Sequence, residues 1–346
     1  MKQDISYLTD HYDEKIEKIK KINAPLNFIF YTDPHNGLSE WDCPKHPDYA
    51  PDDFESAPDA AASMQYIIDR VPNLQCVVCG GDLGCDYHDD PEKAHASIRE
   101  MMEALYRLTV PVHCCIGNHD DCATTPTLEP LKSYPQFAGE KKPPVSEYIL
   151  YPEDLHAICM KHNPTDENYY YVDFDDAGYR FVFLNTSDFE YGTDRQGNPL
   201  YPVNAIRVSP EQVRWFTQAV KTDKKVIAFA HAPIHTRGHF PDCLCGHVCV
   251  ENGEWLWCEM QRADNVVASF AGHLHYDNLV YDGRIVSIDT QSASGLEKGQ
   301  WDPSCPRREF GTITETAFDV VSVTDKVIYC TRFGAGEDRA ARILRE

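Results

Sequence analysis

The chain has 346 residues, of which 42% are hydrophobic, so it is long enough to bury a sizeable core and has the composition of a soluble globular protein. Its 55 acidic residues outnumber its 32 basic residues, which gives a formal net charge of -23. This balance argues against nonspecific binding to nucleic acids or to anionic membranes, because both need a basic surface. A small substrate that carries phosphate stays compatible with it, because bound metal cations reverse the sign of a local site.

The N-terminal segment alternates charged residues with isoleucines and contains no continuous apolar stretch. This pattern predicts neither a secretory signal nor a membrane-inserted segment. The 14 cysteines are scattered, and some of them lie inside apolar segments, where a thiol packs as a small hydrophobic group. We therefore expect reduced cysteines and a cytoplasmic protein.

The first half of the chain alternates predicted helices and strands. Isoleucines at 16, 19 and 22 among charged residues indicate an amphipathic helix over 10–22. Three apolar segments then predict strands, with predicted helices over 58–70 and 91–108 between them; the strand segments are LNFIFYTD (26–33), CVVCGGD (76–82) and VPVHCCIGNHD (110–120). Such alternation is typical of layered α/β architecture.

The second half is richer in predicted strands. A hairpin is expected over 169–188 and a helix with a serine N-cap over 209–220, followed by strands over 225–231 and 265–275. Segments 284–290, 316–324 and 326–334 suggest an antiparallel end of the fold. We expect one domain over 25–335, with a helical extension (1–24), a tail (336–346) and loop insertions near 34–57, 121–165 and 236–258.

Five of the predicted strands end in polar residues that can bind metal. These ends are Asp33-Pro34-His35, Gly81-Asp82, Gly117-Asn118-His119-Asp120, Ala230-His231 and Gly272-His273-Leu274-His275. A single histidine at a strand end is commonly structural, but open α/β sheets place their ligands at the carboxyl ends of the strands. Carboxylate, imidazole and amide groups suit borderline or hard divalent metals, and their number exceeds the needs of one tetrahedral ion. The set therefore implies two ions.

The ordered set D-x-H, GD, GNHD, H and GHxH resembles the motifs of the calcineurin-like metallophosphoesterase superfamily over residues 33–275. The resemblance implies an α/β fold in which a two-sheet β-sandwich is flanked by helices (αββα). It also implies a dinuclear centre in which Asp82 bridges the two ions. One ion would be held by Asp33, His35, Asp82 and His275, and the other by Asp82, Asn118, His231 and His273.

The same resemblance implies hydrolysis of a small-molecule phosphodiester or phosphomonoester by a metal-bridging hydroxide. His119 would donate a proton to the leaving oxygen, and Asp120 would orient His119. Cys85 stands where purple acid phosphatases of the superfamily carry a tyrosine ligand to ferric iron, so manganese, ferrous iron or zinc is expected instead. Two alternatives are a non-catalytic metal-binding scaffold of the same fold and a metallohydrolase that acts on a non-phosphate ester or amide.

Several further residues are candidates for minor roles. Arg237 and His235 follow His231 and are predicted to contact substrate. A cysteine-rich loop could bind structural zinc, or its thiols could be free; its candidate ligands are Cys243, Cys245, His247 and Cys249. Trp41, Trp255 and Trp257 are either a wall beside the site or core residues, and Asp86, His88, Asp89 and Asp90 are either a solvated loop or include a hydrogen-bond partner of the site. The segment RFGAGEDR (332–339) has no assigned role.

Overall fold

A computed structural model describes most of the chain. The described residues are 4–37, 57–86, 90–123, 145–188, 191–193, 195, 199–200, 206–235, 249–294, 308–309 and 311–344. Its helices are α1 (Thr9–Ile22), α2 (Ala57–Ile68), α3 (Pro91–Leu105), α4 (Pro152–Cys159), α5 (Pro210–Ala219) and α6 (Gly253–Arg262). Each of them is too short or too polar to span a lipid bilayer.

The strands are β1 (Leu26–Tyr31), β2 (Leu74–Cys79), β3 (Val112–Cys114), β4 (Tyr170–Phe174), β5 (Tyr179–Phe183), β6 (Gly192–Thr193), β7 (Pro199–Leu200), β8 (Lys225–Phe229), β9 (Val266–Ala271), β10 (Asn278–Asp282), β11 (Ile285–Asp289), β12 (Ala317–Val323), β13 (Val327–Gly334) and β14 (Arg339–Arg342). They alternate with the helices up to β3, whereas the described elements from β9 to the end of the chain are all strands. Strands β6 and β7 form a small separate ribbon.

Two six-stranded mixed sheets form the body of the protein. The first sheet has the order β14-β13-β12-β1-β2-β3, and the second has the order β10-β11-β9-β8-β5-β4. Strands β1, β2 and β3 of the first sheet are parallel to one another, as are β11, β9, β8 and β5 of the second sheet, so each of these sets points its carboxyl ends in one direction. Strand β12 is antiparallel to β1. The predicted two-sheet α/β sandwich flanked by helices, in a single domain, is confirmed.

The core between the two sheets is built on aromatic side chains. Phe28 of the first sheet packs edge-on against three phenylalanines of the second sheet at ring-centroid distances of 4.9 to 5.7 Å; these are Phe181, Phe229 and Phe270. All four side chains are fully buried. Edge-to-face contacts of this kind add to the free energy of area burial, so the cluster holds the two sheets face to face.

Helices α3 and α5 begin where the local sequence predicts, whereas α4 and the start of α6 lie in segments predicted as loop insertions. Ser209 accepts a hydrogen bond from the Gln212 N–H at 3.1 Å at the start of α5, and Asp90 caps α3 directly before Pro91. Helix α1 buries its apolar face against the first sheet, where the ring of Tyr12 lies 5.1 Å from that of Phe333. The N-terminal extension is therefore packed onto the domain.

The end of the chain differs from the prediction in two respects. Strands β12 and β13 are antiparallel as expected, but β11 runs parallel to β9 in the second sheet. The expected tail at 336–346 contains β14, which pairs with β13. Apolar alternation along a strand predicts the strand and its buried face, whereas the neighbour of each strand depends on how the whole sandwich closes. Residues 38–56, 124–144 and 236–248, which make up most of the predicted insertions, lie outside the described residues.

Candidate metal centre

The five polar strand ends meet at one edge of the sandwich. The backbone N–H of Asp33 donates to the carbonyl of Gly81 at 3.0 Å, which joins the ends of β1 and β2. The N–H of Gly272 donates to the carbonyl of His231 at 2.9 Å, which joins the ends of β9 and β8. The N–H of His273 donates to both carboxylate oxygens of Asp33 at 3.0 and 3.1 Å. This last contact brings the carboxyl ends of the two sheets together.

The backbone of these loops is strained at the predicted ligands. Eight non-glycine residues in the described part of the chain have a positive φ, and five of them are predicted metal ligands: Asp33, His35, Asp82, His273 and His275. Their φ angles lie between 44° and 66°. Such conformations each cost about 1–3 kcal/mol and persist only where the surrounding contacts hold them. The strain concentrates at the candidate site, as is common for functional loops.

The first group of possible ligands consists of Asp33, His35, Asp82 and His275, which offer ligand atoms within 4.8 Å of one another. His275 Nε2 lies 3.1 Å from Asp33 Oδ1 and 3.3 Å from His35 Nε2. Burial lowers the pKa of His35 to about 4, so this imidazole is neutral and suited to bind a metal ion.

The second group consists of Asp82, His231 and His273, whose ligand atoms also lie within 4.8 Å of one another. His231 Nε2 lies 3.2 Å from Asp82 Oδ2 and 3.0 Å from Asn118 Oδ1. Asp82 belongs to both groups, and its Oδ2 also lies 3.7 Å from His35 Nε2. The structure therefore brings together all seven residues predicted as ligands and places Asp82 between the two groups.

The hydrogen bonds of His231 test whether the site fits a metal ion. Its Nδ1 lies 2.8 Å from the carbonyl oxygen of Gly80, which can only accept, so Nδ1 carries a proton. In the neutral ring the lone pair of Nε2 then faces the oxygens of Asp82 and Asn118, which are acceptors as well. A cation at Nε2 resolves this arrangement, either a proton in the metal-free site or a metal ion in its place. Burial alone would lower the pKa of His231, but the Asp82 charge outweighs it and raises the pKa to about 9. The nitrogen and oxygen donors suit a divalent metal.

Two glycines allow the loops to approach so closely. A Cβ at Gly117 would lie 2.1 Å from Asp82 Oδ1, and a Cβ at Gly272 would lie 2.2 Å from Asp33 Oδ2. Both distances are far below van der Waals contact, so any side chain at either glycine would displace a carboxylate of the site. The glycines beside the motifs are therefore required by packing at the ligands themselves.

His119 lies beside the two groups and pairs with Asp86. Its Nδ1 is 2.9 Å from Asp86 Oδ1, and its ring centroid is 5.5 Å from that of His35. Burial alone would lower the pKa of His119, but the carboxylates of Asp86 and Asp82 outweigh it and raise the pKa to about 10. The imidazole is thus held in a fixed orientation and its protonated form is stabilised.

Asp120 does not make the expected contact with His119. Its two carboxylate oxygens accept hydrogen bonds from the backbone N–H groups of Gly117 (2.7 Å), Leu83 (2.7 Å) and Asp82 (3.2 Å). The prediction that Asp120 orients His119 is therefore corrected, and Asp86 takes that position. Asp120 instead joins the loops after β2 and β3, because a buried carboxylate can accept hydrogen bonds from several backbone N–H groups at once.

Replacement of Asp120 by alanine is expected to lower the free energy of unfolding by about 3 kcal/mol, because three backbone N–H groups in a buried loop lose their acceptor. Urea unfolding of metal-free protein measures this change. Asp175→Ala removes a carboxylate whose side chain is 81% exposed and is expected to change the free energy by less than about 0.5 kcal/mol. Equal free energies of unfolding for the two variants would contradict the role of Asp120 in joining the two loops.

Of the remaining predicted substrate contacts, one is buried and the other lies outside the described residues. His235 is 1% exposed, and its ring lies 4.0 Å from that of Trp257, so it packs beneath α6 instead of on an open surface as a substrate contact would. Trp257 is buried, as in the core interpretation, whereas Trp255 is 51% exposed. Five of the other candidates lie outside the described residues; these are Arg237, Trp41, Cys243, Cys245 and His247. Cys249 is partly buried.

Comparisons with known proteins agree with this geometry. The structure is similar to a dimetal phosphatase from Danio rerio, with a TM-score of 0.60 and 15% identity over 93% of this chain and 100% of the other. It is also similar to GAP50, the anchor in the inner membrane complex of Plasmodium, with a TM-score of 0.52 and 12% identity over 93% and 89% of the two chains. A search of curated proteins found no match. The sequence profile described as calcineurin-like phosphoesterase matches residues 26–277, which is more than two thirds of the chain. The chain therefore belongs to the calcineurin-like phosphoesterase family.

Proposed function

We propose that the protein hydrolyses a small-molecule phosphodiester or phosphomonoester with two divalent metal ions, manganese, iron or zinc. The observation that carries this proposal is the position of Asp82. Its carboxylate lies within reach of one set of ligands with a second carboxylate and two imidazoles, and of another set with two imidazoles. An Asp has two oxygens with which to serve two ions. Paired ions, when bound, polarise the phosphate oxygens and make water acidic enough to attack phosphorus.

The side chains of the site have distinct tasks in this reaction. Asp33, His35 and His275 would hold one ion with Asp82, and Asn118, His231 and His273 would hold the other with Asp82. The neutral amide of Asn118 limits the negative charge around the ions, which favours an anionic substrate. The Gly80 carbonyl keeps the proton of His231 on Nδ1, so Nε2 is the atom that can bind.

His119 is the candidate proton donor to the leaving oxygen. Because its Nδ1 faces the carboxylate of Asp86, the proton that it can transfer is on Nε2. The Asp86 carboxylate holds the ring and stabilises its positive charge. The backbone N–H of His119 also donates to Asp82 Oδ1 at 3.0 Å, which ties the position of this residue to the bridging carboxylate.

Hydrolysis assays on defined substrates test the proposal. Protein stripped by a chelator is titrated with Mn²⁺ and assayed with bis-p-nitrophenyl phosphate and with p-nitrophenyl phosphate. We expect turnover that returns with the metal, and the faster substrate indicates a diester or a monoester. Competitive inhibition by inorganic phosphate separates this activity from that of a metallohydrolase acting on a non-phosphate ester. Two bound ions without turnover of either substrate would favour the non-catalytic scaffold and contradict the proposed activity.

A further inference from the structure

A network of four charged residues, two fully buried and two partly buried, lies beside the loop that joins β9 to β10. We call residues 272–277 the ligand loop, because it contains His273 and His275. The network consists of Asp277, at the end of the ligand loop, together with Asp319 of β12, Arg332 of β13 and Arg339 of β14. It therefore connects a loop of the second sheet to three strands of the first sheet.

The two arginines bind the two aspartates directly. The fully buried Arg332 donates from Nη2 to Asp277 Oδ1 at 2.7 Å and from Nε to Asp319 Oδ1 at 2.9 Å. Arg339 forms an ion pair with Asp277 at 3.1 Å and donates to Asp319 as well. Each aspartate thus has both arginines as partners, and the four charges balance. The end of the ligand loop is therefore held by side chains from both β13 and β14.

Neutral groups complete the surroundings of Asp277. Gln291 donates to it twice, from the backbone N–H at 3.2 Å and from Nε2 at 2.8 Å. Gly336 has a φ of 101°, and a Cβ there would lie 2.5 Å from Gln291 Nε2 and 2.8 Å from Arg332 Nη1. The turn before β14 therefore packs closely against the side chains of Gln291 and Arg332. These contacts use the segment RFGAGEDR (332–339), which had no role in the sequence interpretation.

Stability alone is a weak explanation for such a network. Buried ion pairs are commonly matched or exceeded in stability by hydrophobic residues of similar volume, whereas a fully bonded polar network fixes the positions of the groups it joins. The ligand loop needs that fixation, because His273 and His275 have φ angles of 66° and 56°. Strained residues keep such angles only when neighbouring contacts determine them.

We propose that Asp277, Arg332 and Arg339 are positioning residues that hold His273 and His275 in the geometry that binds metal. The last two strands of the chain then set the affinity of the centre for its ions, although none of the three side chains belongs to either ligand group. The inference rests on the metal centre of the proposed function. Its test measures metal binding, which does not require turnover.

The experiment compares two aspartate-to-asparagine variants of the full chain. Asp277→Asn removes the charge that both arginines bind. The matched control is Asp173→Asn, since Asp173 also forms a two-pronged ion pair, with Arg180 at 2.7 and 2.8 Å, but on β4 and β5. Calorimetric titration of chelator-stripped protein with Mn²⁺ is expected to show affinity about 10-fold to 100-fold weaker for Asp277→Asn and unchanged for the control.

Thermal unfolding in EDTA separates positioning from general stability. If Asp277→Asn loses thermal stability but keeps the wild-type affinity for Mn²⁺, the network is structural only and the inference is overturned. If that variant does not fold, Gln291→Leu decides, because it removes the Nε2 donor to Asp277 while Arg332 and Arg339 stay paired with that carboxylate. Weaker Mn²⁺ binding supports the inference, and unchanged binding overturns it. Wild-type protein that binds two ions without turnover would contradict the proposed activity and leave the positioning role standing.

Discussion

Replacement of Asp82 by asparagine is expected to reduce the metal-dependent turnover by about 10³-fold or more. The amide has one oxygen in place of two and carries no charge, so it cannot serve both ligand groups that Asp82 joins. Lewis-acid stabilisation by bound ions is worth several kcal/mol, and about 4 kcal/mol corresponds to about 10³-fold in rate. The measurement is kcat for bis-p-nitrophenyl phosphate under saturating Mn²⁺, with the metal content of each sample determined in parallel.

The metal content decides how the result is interpreted. Asp82→Asn is expected to bind fewer ions than wild type and to lose the rise in Tm that Mn²⁺ produces, because a ligand that binds only the folded state stabilises it. Asp173→Asn serves as the control, since it removes a carboxylate of β4 outside both groups. Turnover within a factor of about three of wild type in Asp82→Asn would contradict a bridging role.

The positions of the candidate ligand residues could be predicted from the sequence because each of them follows an apolar strand. Asp33 and His35 follow β1, Asp82 follows β2, and His231 follows β8. Parallel neighbouring strands present their carboxyl ends at one edge of a sheet. The polar residues that follow these strands are therefore expected to lie close together. The alternation of strands and helices predicted layered α/β architecture, whereas the two-sheet sandwich was implied by the resemblance of the motifs. Each sheet contains a set of adjacent parallel strands.

The contacts around those ligands could not be predicted in the same way. Asp120 follows His119 directly, and its sequence position suggested that it orients the imidazole. In the folded loop its side chain instead faces the backbone N–H groups of Gly117 and Leu83, while Asp86, distant in sequence by 33 positions, reaches His119. The sequence feature that could have indicated the contact between Asp86 and His119 is the position of Asp86, four residues after Asp82 on a loop that is expected to lie at the site.

The C-terminal network shows a second limit of sequence reasoning. Arg332 and Asp319 lie on strands whose many apolar residues predict burial, and a buried charge requires a partner. The sequence does not say which of its many acidic residues that partner is. The pairing with Asp277 depends on the two sheets meeting beside the ligand loop, which is a property of the closed sandwich and not of either strand.

Replacement of His119 by alanine is expected to reduce kcat by about 10²-fold to 10⁴-fold for phosphate esters with alkyl leaving groups, the range that proton donation by a positioned side chain contributes. The loss is expected to be much smaller for p-nitrophenyl esters, because p-nitrophenolate leaves as a stable anion without a proton. The contact from His119 to Asp82 Oδ1 is made by the backbone N–H, so the variant keeps it, and metal content is expected to equal that of wild type.

Asp86→Asn tests whether the negative charge of Asp86 supports proton donation by His119. An amide at this position can still form a hydrogen bond with His119 Nδ1, but it does not stabilise the positive charge of the ring, so we expect a loss of about 10-fold or more in kcat with the same dependence on the leaving group. The ratio of kcat values for a methyl and a p-nitrophenyl ester, measured for wild type and both variants, reports proton donation directly. An equal loss for the two esters in His119→Ala would show that His119 binds substrate or supports the ions and would contradict its role as the proton donor.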